Sequence, residues 1–226
     1  MEKQIKKTCK PTFNISTQFV PTHFFGRYAQ WQYHVSVGVE DADIQFDFPF
    51  LNLGAGVINL ARCQQAEEFL KNSKAEWFVN IDVDEVWGKN AISDLINTGG
   101  DIISAAVHAK QYPHTPNFYY WNEEESLFKD WTGIIPDKPF EVDAVGFGFI
   151  AVRREVMLAL WNIHNAKLFD SPKNNKWNNI KMGEDVAFCY KAGELGYKIV
   201  VNPNITVNHL SYVEIGRDDY NRNILQ

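Results

Sequence analysis

Three cysteines stand in this chain of 226 residues, Cys9, Cys63 and Cys189. They are odd in number, far apart and without metal-ligand spacing. That excludes a disulfide framework and a thiolate metal knot, and it favours reduced thiols in the cytoplasm. Long apolar runs are missing too. Nothing approaches 18 consecutive apolar residues, so no membrane-spanning helix is expected. The opening MEKQIKKTCK is basic but has no apolar core of a secretory signal. Positive charge is in short supply, with 22 Lys and Arg against 28 Asp and Glu, a formal net charge of −6. Nucleic-acid binders carry a basic face, so a pure polyanion binder is disfavoured. No internal repeat and no low-complexity tract occurs. What is abundant is aromatic: 16 Phe, 9 Tyr and 7 Trp. These suit a large core, and also the stacking walls of a sugar or base site. Length and composition together point to one soluble domain, residues 1–226.

The hydrophobic pattern supplies an α/β order. Thr12–Val20 alternates as a strand, Phe24–Val37 has apolar residues at helical spacing, and Asp43–Phe48 alternates again. Pro49–Gly56 reads as a loop, Val57–Leu70 as a helix and Glu76–Val83 as a buried strand. This β-α-β-α-β layout predicts a mostly parallel sheet with helices on both faces. Lys89–Asn97 is a short helix and Asp101–Val107 a strand. His108–Pro139 reads as loop or short-strand segments rich in Tyr, Trp, Pro and Asn, a length of irregular chain that is often functional. Glu141–Arg153 is strand-like with a Gly-x-Gly interruption, and Glu155–Trp161 is helical. Asn162–Lys181 reads as a mobile loop. Gly183–Leu195 is a helix with Gly196 placed for its C-terminal cap. Lys198–Val201 and Ile205–Asn208 are the last strands, and the tail after Tyr212 is polar.

Chemistry concentrates in three places. EWFVNIDVDEVW, Glu76–Trp87, is an apolar strand that ends in Asp82 and Asp84. Carboxylates are costly in the dry middle of a strand. At its carboxyl end they lie where open α/β sheets bind ligands, and two of them can hold a hard cation. The plain alternative is that they cap the next turn. In MGEDVAFCY, Met182–Tyr190, the pair Glu184 and Asp185 opens a helix. Carboxylates are stabilised there by the backbone N–H groups; beside a cation, one of them becomes a candidate general base. His209 ends the last strand, either as a surface residue or as a ligand.

In this order (IDVDE, then GFGFIAVRREV, then GEDVAFCYKAGELGYKIVVNPNITVNHL) the chain resembles the GT-A fold nucleotide-sugar glycosyltransferases. The resemblance is to the compact, inverting, family-2-like enzymes found in phage and bacterial genomes, and it spans about Val57 to Leu210. It implies a GT-A-like fold, a mixed, mostly parallel central sheet with helices on both faces, with a nucleotide-binding half (about 11–108) and an acceptor half (about 109–212). It implies a divalent ion, Mn²⁺ or Mg²⁺, held by Asp84 with His209 completing its shell. Asp82 would serve the same metal and lie near the ribose or donor sugar. Asp185 would be the catalytic base, and Glu184 would engage acceptor or donor. Gly146 and Gly148 would let the donor sugar approach the backbone; without the resemblance they would simply mark a bulge. Arg62 would face the donor phosphates, with Asn59 one turn earlier, and Thr17 and the Pro21–His23 turn fall at the nucleotide base. The donor would be a nucleoside-diphosphate sugar, UDP-linked by default. The acceptor would be a hydroxyl of a saccharide or of a modified base in phage-type DNA, in the host cytoplasm if phage-encoded. Among the aromatic residues after His108 (Tyr112, Tyr119, Tyr120, Trp121 and Trp131), Tyr112 and Trp131 are candidates for an acceptor wall; core packing is the alternative. Two other readings use the same residues: a metal-dependent phosphohydrolase or nucleotidyltransferase, and a non-catalytic nucleotide-sugar binder.

Overall fold

The computed structural model describes residues 6–15, 22–53, 57–172 and 182–211. Thr17, Pro21, Gly54–Gly56, the later part of the Asn162–Lys181 stretch and the polar tail lie outside the described residues.

The central strand is β4 (Trp77–Asp82), every residue of which is buried up to Ile81. It pairs parallel with β1 (Lys7–Ile15), and β1 pairs parallel with both β2 (Ile44–Phe46) and β3 (Phe50–Leu53). On its other side β4 pairs antiparallel with β11 (Phe149–Arg153). Beyond β11 come β6 (Ile102–Ala105), then β12 (Ile199–Asn202) parallel to β6, and β9 (Phe140–Val142) antiparallel at the edge. The sheet is therefore mixed and partly parallel. Phe50–Leu53, expected as part of a loop, is a strand because β1 is long enough to carry β2 on its first half and β3 on its second.

Strand alternation sorts the helices onto two faces. Trp77, Val79 and Ile81 of β4 pack with Phe24 and Trp31 of α1 (Thr22–Ser36) and with Ile92, Leu95 and Ile96 of α3 (Ala91–Asn97). Phe78 of β4 and Ile150 and Val152 of β11 pack with Phe69 of α2 (Ile58–Asn72), Met157 of α4 (Arg154–His164) and Phe188 of α5 (Glu184–Glu194). Gly196 follows α5 in the left-handed region, φ +82°, as a cap of this kind requires.

Two smaller sheets stand beside the central one. Within 108–139, β7 (Phe118–Asn122) and β8 (Leu127–Asp130) form a hairpin, extended by β10 (Ala144–Val145). Glu141–Arg153 is thus not one interrupted strand: β9, β10 and β11 belong to two sheets, with the glycines at the crossing. The second small sheet joins β5 (Glu85–Trp87) to β13 (Val207–His209). Among the described residues no helix is long and apolar enough to cross a membrane.

Candidate metal centre and active site

The face of β4 that carries Phe78 also carries Asn80 and Asp82, and α2 lies over it. Gln65 donates to Asn80 Oδ1 at 3.0 Å, and Asn80 donates to the Phe147 carbonyl. Arg62 reaches Asp82 with both terminal nitrogens, Nη1 to Oδ1 at 2.9 Å and Nη2 to Oδ2 at 3.0 Å. Its guanidinium also lies over the Phe147 ring, 5.5 Å from the centroid. A forked pair of this kind fixes carboxylate orientation as well as charge. Arg62, expected to face donor phosphates, is only 3% exposed and is committed to Asp82. Asp82, expected among the metal ligands, is engaged by that pair and is not one of the three residues of the cluster described next. Asn59 donates to Asp170 Oδ1 at 2.8 Å.

After Asp82 the chain turns and enters β5, whose partner β13 places His209 directly opposite Glu85. This ribbon brings the end of the fold to the rim of β4. His209 Nε2 lies 3.5 Å from Asp84 Oδ2 and 3.8 Å from Glu85 Oε1. One ligand atom from each of Asp84, Glu85 and His209 falls within 4.8 Å of the other two. The other ring nitrogen, Nδ1, is 2.8 Å from the His108 carbonyl oxygen. A carbonyl only accepts, so Nδ1 carries a proton; Nε2 faces the carboxylates, donating to Asp84 when the ring is charged and offering a lone pair once that proton is lost.

Glu85 is the residue that the sequence reading passed over. Its side chain is 1% exposed, and neither carboxylate oxygen has a hydrogen-bond partner. Burial, with the charges of Asp82 and Asp84 added, raises its pKa to about 8 against the pull of His209 and Lys110. Asp84 behaves oppositely. Burial works against its ionisation, but hydrogen bonds from His209 and Lys110 outweigh that and hold it well below the usual carboxylate range. For His209 burial favours the neutral ring, while Asp84 and Glu85 more than offset it and raise the pKa. Two buried acceptor oxygens without donors are costly unless something positive meets them. Two carboxylates and one imidazole form a donor set that suits a divalent ion such as Mn²⁺ or Mg²⁺. The residues fit the group.

Gly148 serves this cluster. Because β11 runs antiparallel to β4, its start lies beside the end of β4, and the Asp82 N–H donates to the Gly148 carbonyl at 2.8 Å. A Cβ on Gly148 would stand 2.7 Å from Glu85 Oε1, and one on Gly146 would stand 3.1 Å from Asn117 Cβ. At both positions the place of a Cβ lies against the protein's own side chains.

At the start of α5 the carboxylate of Asp185 folds back over the helix end. Its Oδ1 accepts the Val186 N–H at 2.8 Å and would meet a Cβ on Gly183 at 2.9 Å. Burial and the neighbouring Glu184 charge raise its pKa to about 6, while the Val186 N–H and Arg62 draw it back. The Arg62 charge thus acts on Asp185 as well as on Asp82. Glu184 and Asn59 line one open cavity of about 370 Å³, with Ile58, Asp170 and Met182.

The two acceptor candidates are not brought together. Trp131 is packed between Phe118 and Phe140, with ring centroids at 5.5 and 5.3 Å, and its indole N–H donates to the Gly133 carbonyl at 2.9 Å. It is part of the core edge. Tyr112 is 89% exposed, next to the cis Tyr112–Pro113 bond. Lys110, on the same segment as Tyr112, forms an ion pair with Asp84; no periodicity in the sequence singles it out. Glu85 did carry a signal, a third acid directly after Asp82-Val-Asp84, but only the β5–β13 pairing turns it inward.

No protein-family model matches the chain, and comparison with curated proteins gives no match. Solved structures do resemble it. A197 from STIV has 16% identity and a TM-score of 0.53, over 91% of this chain and 86% of that one. GalNAc-T7, crystallised with UDP, GalNAc and Mn²⁺, has 14% identity and a TM-score of 0.53, over 92% of this chain and 44% of that one. This chain therefore spans less than half of the GalNAc-T7 chain. At such identities the likeness is one of fold, and the fold is GT-A-like: an α/β architecture shared with nucleotide-sugar glycosyltransferases, with an acidic candidate metal site at the sheet rim.

Proposed function

We propose that this protein is a metal-dependent, inverting glycosyltransferase that moves a sugar from a nucleoside-diphosphate sugar, UDP-linked, to an acceptor hydroxyl. The observation that carries the reading is the buried Glu85 carboxylate, with no hydrogen bond to either oxygen, beside Asp84 and His209 at the carboxyl end of the central strand. Asp84, Glu85 and His209 would hold a divalent cation. When bound, such an ion supplies positive charge against the negative charge that grows on a departing diphosphate.

The remaining residues follow by position. Asp82, oriented by Arg62, keeps lone pairs free of that pair and accepts hydrogen bonds from donor hydroxyls. Glu184 and Asn59, on one cavity wall, contact the donor or acceptor sugar. Asp185 accepts the proton of the acceptor hydroxyl. As the acceptor oxygen bonds to the anomeric carbon, the bond from that carbon to the donor phosphate oxygen breaks from the opposite face. Its electron pair leaves with the nucleoside diphosphate, and the anomeric configuration inverts. A pKa near 6 suits the base: ionised at neutral pH, yet more basic than an ordinary aspartate.

The test is a panel of nucleoside-diphosphate sugars with Mn²⁺, read first as thermal stabilisation and then by product analysis. Release of nucleoside diphosphate with glycosylated acceptor supports the reading. Release of a monophosphate, or hydrolysis alone in the presence of acceptors, favours a phosphohydrolase or nucleotidyltransferase. No stabilisation by any of them counts against all nucleotide-sugar readings.

A further inference from the structure

A second concavity lies between the β7–β8 hairpin and α5, a groove of about 300 Å³, at the lower end of the range of ligand clefts. Its walls include three rings, Trp121, Phe128 and Tyr190, and three carboxylates, Glu123, Asp143 and Glu194. Trp121 and Phe128 face each other across the hairpin, edge to face with centroids 5.1 Å apart. Asp143 Oδ2 accepts the Trp121 backbone N–H at 2.7 Å, which ties this wall to the crossing before β10. Gly193 belongs to the lining, and a Cβ placed on it meets no atom within 4 Å. The groove is therefore open above that residue.

Its direction matters. Asp185, Cys189 and Gly193 follow one another at i, i+4 and i+8, along one face of α5. At the helical rise, Gly193 lies about 12 Å along the axis from Asp185. The hairpin reaches that face of α5 through β10, whose Val145 pairs with Phe118 and accepts from the Cys189 thiol at 3.6 Å.

The lining chemistry selects the ligand. No basic side chain is among the lining residues, and three carboxylates repel phosphate, sulfate and nucleic acid. A purely apolar ligand would strip water from those carboxylates and return nothing. A neutral saccharide meets both halves: its C–H faces lie on aromatic rings, and its hydroxyls donate to carboxylates.

We propose that this groove is the acceptor subsite and that the acceptor is a neutral saccharide, lying along α5 with its reacting hydroxyl toward Asp185. The acceptor role rests on the transferase reading above; the saccharide-binding groove does not.

The experiment is direct binding to the full chain without donor, by saturation-transfer NMR and tryptophan fluorescence. The probes are neutral trisaccharides of glucose, N-acetylglucosamine, galactose and mannose, with a sulfated trisaccharide and a lysine-rich peptide as counter-probes. Two variants are compared, Gly193→Leu, which fills the open floor, and Trp121→Ala, which removes a wall. Gly193→Leu replaces a glycine in the last turn of α5 by a better helix former in open space, so its Tm should not fall. The expected result is that at least one neutral trisaccharide binds and that both variants weaken it by roughly tenfold or more. Binding of no neutral trisaccharide, unchanged binding to Gly193→Leu, or groove-dependent preference for either counter-probe overturns the proposal. Mn²⁺-dependent UDP binding is measured on the same samples. If trisaccharide binds and is lost in Gly193→Leu while UDP never binds, the groove is a saccharide site but its acceptor role and the transferase reading both fall.

Discussion

Replacing Glu85 by Gln keeps the shape of the side chain and removes its charge. In the metal-free fold the carboxyl is raised from its ordinary 4.5 to about 8, with burial as the first cause. A group whose pKa is higher folded than unfolded contributes stability that is complete below the unfolded value and is lost as pH climbs to the folded one. Each pH unit in that window costs about 1.4 kcal/mol. At pH 7 the wild-type carboxyl therefore destabilises the metal-free protein by about 3 kcal/mol relative to acid conditions. The amide has its own buried N–H groups to satisfy, so a net gain of about 2 kcal/mol is the working figure. For a chain of this size that is a rise in Tm of roughly 4–8 °C. The assay is differential scanning calorimetry of chelator-treated protein from pH 5 to 8, with and without Mn²⁺. Without metal, Glu85→Gln should match wild type near pH 5 and exceed it increasingly toward pH 8. With Mn²⁺ the order should reverse, because only wild type gains stability from binding. A variant less stable than wild type at pH 8 without metal, or one stabilised equally by Mn²⁺, would refute both the burial argument and the ligand assignment.

Binding of Mn²⁺ to wild type must displace the Glu85 proton, so affinity measured by calorimetry should rise with pH and level off above about 8. Asp185→Asn should retain Mn²⁺ and UDP binding but lower turnover by roughly 10²–10⁴-fold. In wild type the acid limb of kcat/KM should fall with apparent pKa near 6, since the ionised form is the base; a limb unmoved in position and amplitude by the substitution would remove Asp185 from that role. Lys110→Met frees Asp84 from a competing ammonium and should tighten Mn²⁺ binding by up to about fivefold; weaker binding would show that Lys110 supports the site. Gly148→Ala drives a methyl into Glu85 Oε1 and should weaken Mn²⁺ binding while costing about 1–3 kcal/mol of stability. Equal affinity in that variant would mean that the carboxylate has room to move.

Local pattern made much of the architecture legible. Apolar Trp77, Phe78, Val79 and Ile81 marked the central strand, 3.6-residue spacing marked α1 and α2, and the acids at the end of β4 and the start of α5 marked where chemistry could gather. These are short-range signals, set by side-chain periodicity and by the electrostatics of strand and helix ends. Pairing across the chain is a different kind of information. Whether Phe50–Leu53 joins a sheet depends on the length of β1, and whether Phe140–Arg153 is one strand or three depends on which edges are open to it. The site shows the same division. That Asp82 and Asp84 lie together follows from the sequence; that Arg62 takes Asp82, leaving Asp84 to join Glu85 and His209, follows from the approach of α2 on one side and β13 on the other. By sequence Trp131 could be either an acceptor wall or core packing; the rings of Phe118 and Phe140 against it make it part of the core edge. An amino-acid sequence specifies which groups prefer water and at what interval they recur; only the closed fold decides which of those groups lose it together, and Glu85 is the residue for which that difference is largest.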